Sequence, residues 1–201
     1  MKPSPQANSG VDARGKPLQG LKVGKLSELA MFLRVKPGHE EAIREAIYAF
    51  CNNPARASAG EEGEKAFAAI GIHEMRLVLF DNDTRLAWWT SFDTDWDTYI
   101  DDTIAIVGTP IYGSILKHTV EAPDGIDKPN IPNGSNLVKD TFNSVRITAA
   151  GYLVTHAEIT VGDQTRNRGV RKAFDACLNN PGAAEALKHP ALKPLLELAA
   201  D

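Results

Sequence analysis

The chain has 201 residues, 43% hydrophobic and 24% charged, enough to bury roughly 70% of its unfolded surface, which excludes a disordered chain or a miniprotein dependent on staples. Twenty-two Lys and Arg against twenty-six Asp and Glu give a formal net charge of -4 without a basic block, so a nucleic-acid footprint is absent. No apolar run approaches the ~20 residues that cross a bilayer, and the Lys2-Pro3-Ser4-Pro5 start lacks a signal peptide's apolar stretch, so the chain reads as cytoplasmic, without a membrane span.

Residues 1–24 carry Pro3, Pro5, Gly10, Gly15, Pro17, Gly20 and Gly24 with few large apolar side chains, the pattern of a flexible or partner-clasping arm. Residues 25–201 read as one domain. Leu26 to Val35 is apolar and extended, Pro37-Gly38 breaks it, and Glu40 to Phe50 follows with Ile43, Ala46, Ile47 and Phe50 on one helical stripe. Asn52-Asn53-Pro54 stops that helix, and Ala55 to Ala69 reads as a loop with a short amphipathic turn. Ile70 to Phe80 and Arg85 to Phe92, separated by Asp81-Asn82-Asp83-Thr84, predict a β-hairpin. Asp93 or Thr94 is placed to cap a helix over Asp95 to Val107, whose inward stripe is Trp96, Ile100, Ile104 and Val107.

A long connection follows over 109–142, with Pro110, Pro123, Pro129 and Pro132 and room for a short helix at Ile111 to His118. Such a length marks a lid or a dimer arm. Ser144 to Val161 supplies the strand that completes a ferredoxin-like sheet, and Thr165 to Leu178 and Ala183 to Ala200 form C-terminal helices, the second interrupted by Pro190 and Pro194. Ser27 to Pro54 also echoes Val154 to Pro181 at an offset of 127, through Ala30/Ala157, Arg44/Arg171, Ala46/Ala173, Ala49/Ala176 and a repeated Asn-Asn-Pro. Cys51 and Cys177 read as unpaired, small core residues.

The run Ile70-Gly71-Ile72-His73-Glu74-Met75-Arg76-Leu77, the turn Asp81 to Leu86, and Ser91-Phe92-Asp93 through Asp101-Asp102 resemble a set of bacterial proteins with an Ile-His-x-x-Arg strand, within the dimeric α/β-barrel superfamily of ferredoxin-like units. The resemblance implies an α+β fold with an antiparallel sheet, helices on one face, a homodimer joined through its sheets, and a pocket between sheet and helices. Members include haem enzymes such as dye-decolourising peroxidases and chlorite dismutases, and also cofactor-free monooxygenases and cyclases. The Gly-x-x-Asp-Gly motif of the dye-decolourising peroxidases is not found here.

His73 and Arg76 sit three apart on one strand, so they point to opposite faces, His73 with Met75, Leu77 and Leu79, Arg76 with Glu74, Val78 and Phe80. His73 is a candidate haem ligand or general base, or else a hydrogen-bonded histidine within the sheet. Tyr152, His156 and Glu158 share a face if their segment is a strand, giving a base with a neighbouring carboxylate. His118 is a candidate axial or metal ligand on the long connection, or a surface residue at a helix end, whereas His39 and His189 read as solvent-facing. Trp88 and Trp89 face opposite sides, one free to wall a cofactor cavity while the other packs a helix or a second subunit. Alternating acids from Asp93 to Asp97 lack the Gly and Glu that a calcium loop needs at its sixth and twelfth positions.

These residues lead first to a small-molecule oxidoreductase, peroxidase-like and haem-dependent, acting on an organic or lipid-like substrate. A histidine, His118, His156 or His73, would hold the iron, while Arg76 and a neighbouring acid polarise a peroxide or stabilise developing negative charge. A cofactor-free monooxygenase, cyclase or isomerase with His73 or His156 as base, and a non-catalytic module docking on an oxidoreductase, are the competing readings.

Overall fold

The computed structural model describes residues 6–7, 21–52, 65, 68–129 and 131–200. The chain divides into two compact units, Met1–Val161 and Gly162–Asp201. The first is α+β. Its antiparallel sheet comprises β1 (Gln6–Ala7), β2 (Leu21–Val23), β3 (Leu26–Arg34), β4 (Ile72–Phe80) and β5 (Arg85–Phe92) in the order β1-β2-β3-β5-β4, and β6 (Arg146–Ile147) also pairs with β3. The helices are α1 (Glu40–Cys51), α2 (Trp96–Val107), α3 (Thr109–Leu116) and α4 (Gly134–Val145).

The two-residue period of β3 and β5 separates the faces of the sheet. Leu29, Met31, Leu33, Leu86, Trp88 and Phe92 are buried in the core with Ile43 of α1, Ile100 of α2, Ile115 of α3 and Val138 of α4. Trp88 stands at its centre, with ring centroids 6.1 Å from Phe50, 5.9 Å from Tyr112 and 5.4 Å from Phe142. An aromatic side chain of this size buries about 200 Å², or roughly 5 kcal/mol of apolar transfer. On the opposite face Phe32, Val78, Trp89 and Ile147 stay 38–47% exposed.

The hairpin forms where the sequence places it. Asp81, Asn82 and Asp83 take positive φ, a region that short polar side chains tolerate, and the Thr84 hydroxyl donates to the Asp81 carbonyl at 2.6 Å. Arg44 of α1 pairs with Asp83 and ties the turn to the helix layer. In α3, Gly113 permits close packing, since a Cβ there would lie 2.4 Å from the carbonyl oxygen of Ile126.

Several expectations change. The segment expected as a strand from Ser144 to Val161 contains only the two residues of β6, because α4 runs through Val145 and the chain beyond Ile147 is irregular. The connection over 109–142 holds two helices rather than one. α4 starts at Gly134, after Pro132 and an N-cap at Asn133 in the left-handed conformation, and buries Val138, Thr141, Phe142 and Val145. Cys51 and Cys177 are both exposed. The described parts of the N-terminal arm, β1 and β2, are sheet strands paired through Gln6 and Lys22; the rest of the arm and most of the expected turn within Ala55 to Ala69 lie outside the described residues. Of the internal echo, both copies have the helix, but residues 154–160 form no strand to match β3.

The second unit contains most of α5 (Val161–Leu178), which has no buried residue, then α6 (Ala184–Leu187) and α7 (Lys193–Ala200). The helix over Ala183 to Ala200 is broken at Pro190, as expected, where a short 3₁₀ turn opens, whereas Pro194 is accommodated in the first turn of α7. The His189 side chain, exposed as expected, accepts from the Ala191 N–H at 3.2 Å and caps that turn. No described helix is long and apolar enough to cross a membrane.

Candidate functional site

Arg76, Trp89 and Tyr152 meet on the open face of the sheet. With Glu28, Glu74 and Ser91 they line a pocket of about 230 Å³ floored by Ala30. Strand register accounts for the convergence, since Ala30 pairs with Trp89, which pairs with Arg76, while Glu28 pairs with Ser91, which pairs with Glu74. Tyr152 enters from the irregular segment after β6. Its phenol is half-buried, and burial pushes its pKa above the ordinary tyrosine value, opposed by a Ser91 hydrogen bond and reinforced by Glu28 and Glu74. The ring hydroxyl is therefore a neutral donor at neutral pH.

Glu28 is 7% exposed, a rare position for a carboxylate on a strand. Its Oε1 accepts from the Ala149 N–H at 3.2 Å. Arg76 donates to Glu74 at 3.0 Å on the exposed rim. An aromatic wall, a buried carboxylate, a neutral phenol and a guanidinium thus line one pocket.

His73 takes no part in that pocket. The register of β4 against β5 shifts between Ile72 and Glu74, so His73 is the extra residue of a β-bulge. It turns to Asp93, its Nε2–H donating to Oδ1 at 2.5 Å, with the two side chains 13% and 11% exposed. The other Asp93 oxygen accepts from the Val161 N–H at 2.8 Å, and the Asp93 N–H donates to the Gly71 carbonyl at 3.0 Å. Thus Asp93 does not cap α2. Asp95 occupies that position, without a side-chain cap bond, because both Asp93 oxygens are engaged elsewhere.

His118 is 9% exposed, and its Nδ1 lies 2.9 Å from Nδ1 of His39. His39 is therefore not the solvent-facing residue expected, nor His118 a surface residue at a helix end: His39 precedes α1, and the chain after α3 brings His118 against it. Burial, then the charge of Lys117, then His39 and Lys36, lowers the pKa of His118. His156 and Glu158 are exposed in a turn rather than on a strand face with Tyr152. Glu158 packs on the backbone at Gly24, where a Cβ would come within 2.7 Å of Oε1.

The side chains expected around a haem do not share a wall: His73 is committed to Asp93, His118 to His39, His156 lies in the exposed turn, and Trp88 and Trp89 occupy opposite faces. They do not fit a haem held between them. Among the described residues no three or more His, Cys, Asp or Glu side chains group as a metal ion would need.

Sequence reasoning missed Glu28, Asp93 and the His39–His118 contact. The first had a signal, a lone acid in the apolar run Leu26 to Leu33. The histidines, 79 residues apart, had none. Searches of protein-family models, curated proteins and solved structures found no match to this chain.

Proposed function

We propose that this chain is a small-molecule enzyme that moves a proton on an organic substrate seated on the open face of the sheet, in the manner of a cofactor-free isomerase, cyclase or monooxygenase. The observation that carries this reading is the convergence of Arg76, Trp89 and Tyr152 with Glu28 and Glu74 around one pocket. The base expected at His73 or His156 moves to Glu28, the buried carboxylate of the pocket. Trp89 stacks on the planar part of the substrate, and Tyr152 and Arg76 hold the oxygen on which negative charge develops as the proton leaves.

The order β6-β3-β5-β4, with α1 and α2 on one face, supports reading the first unit as ferredoxin-like. The exposed Phe32, Val78, Trp89 and Ile147 support a second copy covering that face, as in dimeric α/β barrels. A haem-dependent oxidoreductase rests on the resemblance alone.

The test is proton exchange in deuterated water with a panel of small ketones, phenols and enolisable acids, read by mass spectrometry. Catalysed deuterium uptake, abolished in Glu28→Gln and reduced in Tyr152→Phe, supports the proposal. Absence of uptake across the panel, with a saturable Soret shift on haemin titration, would replace it with the haem reading. Absence of both leaves the non-catalytic module.

A further inference from the structure

The pairing of His39 with His118 is unrelated to the sheet-face pocket and has its own consequence. Two Nδ1 atoms at 2.9 Å form a hydrogen bond only when one carries a proton and the other is bare. A first added proton, on a nitrogen outside the contact, preserves the bond. A second forces two N–H groups to face each other.

The pair closes a strap. Residues 118–121 form a turn that runs beside the end of β3. The Lys36 N–H donates to the His118 carbonyl at 2.8 Å, the Val120 N–H donates to the Arg34 carbonyl at 2.9 Å, and Val35 bridges to Thr119. Glu121 accepts from the Arg34 backbone N–H and guanidinium at 3.0 and 2.8 Å.

We propose that His39 and His118 form an acid-operated latch, which ties residues 118–121 to the end of β3 while one facing nitrogen is bare and releases them when both are protonated. The surroundings oppose the second proton. Lys36, after β3, donates to the Lys117 carbonyl at 2.9 Å, and Lys117, at the end of α3, brings its own charge. The acids nearby are already engaged: Asp127 holds Lys117 at 3.1 Å, Asp124 lies 3.7 Å from Lys36, and Glu40 of α1 accepts from the Gly38 N–H at 3.3 Å. The lowered pKa of His118 agrees with this arrangement.

Since the folded chain takes that proton less readily than the unfolded chain, the latch stabilises fully above the ordinary histidine pKa of about 6.5. Its contribution is lost as pH falls through that value towards the lower folded one. Release bares the Arg34 carbonyl and Lys36 N–H on the edge of β3, where another strand can pair.

Amide hydrogen exchange of the full chain at about pH 7.5 and about pH 5, expressed as protection factors, tests the latch. The Lys36 and Val120 amides are expected to lose on the order of ten-fold protection on acidification, while Trp88 in the β3–β5 ladder keeps its protection. His39→Gln, which cannot take the second proton, is expected to remove the difference. Equal protection at both pH values, a uniform loss that includes Trp88, or an unchanged response in His39→Gln would overturn the latch. If His39→Gln does not fold, the imidazole resonances of the wild-type chain decide. One imidazole taking its proton below the ordinary range, in step with a shift of the Val120 amide, supports the latch, and two independent titrations near 6.5 overturn it.

Discussion

Replacing Asp93 separates a structural clasp from a catalytic pair at His73. The carboxylate holds two partners on different segments, His73 at 2.5 Å and the Val161 N–H at 2.8 Å, and its side chain is 11% exposed. Hydrogen bonds to a charged group are worth about 1.5–3 kcal/mol each, so Asp93→Ala is expected to cost about 3–5 kcal/mol. His73→Ala removes one partner and leaves Asp93 anchored to Val161, for an expected cost of about 2 kcal/mol. The double variant should fall short of the sum by about 1–2 kcal/mol, since each single change already breaks the shared bond. Urea unfolding at neutral pH, fitted with a common slope, measures all three. An Asp93→Ala cost below about 1 kcal/mol, or single effects that add within about 0.5 kcal/mol, would refute the clasp and return His73 to the list of candidate bases.

Further substitutions test the packing. Gly113→Ala should raise helix propensity by about 1 kcal/mol, yet its Cβ would meet the backbone of Ile126 and Asp127 at 2.4–2.8 Å. Net destabilisation of about 1–3 kcal/mol is expected, measured as a lowered Tm; a raised Tm would contradict the close approach. Trp88→Ala should cost about 3–5 kcal/mol, whereas Trp89→Ala, on a side chain 38% exposed, should cost about 1 kcal/mol or less. Chemical denaturation gives the ranking, and similar costs would mean that the two faces are wrongly assigned.

What could be read from the sequence was local periodicity. The stripe Ile43, Ala46, Ile47 and Phe50 and the hairpin around Asp81 to Thr84 depend on neighbours in the chain, and α1, β4 and β5 form there. α4 carries an equally regular stripe, Val138, Thr141, Phe142 and Val145, hidden by the prolines before it. Strand character around Tyr152 to Val154 was misleading, because the two residues of β6 already provide the pairing to Ala30 and Met31. The opposite faces of Trp88 and Trp89 follow from the strand period, but Glu28 and Tyr152 are 124 positions apart and meet through tertiary structure. The bulge that turns His73 to Asp93 likewise depends on register between strands, which no single segment encodes.

The most direct measurement is a fragment titration followed by two-dimensional NMR, with indole, phenol, tryptamine and benzoate as probes. The account predicts saturable shifts confined to Trp89, Ser91, Arg76 and Tyr152, lost in Trp89→Ala while the Trp88 indole resonance stays in place. Shifts that map instead to His39 and His118, or the absence of any saturable shift on the open sheet face, would contradict it.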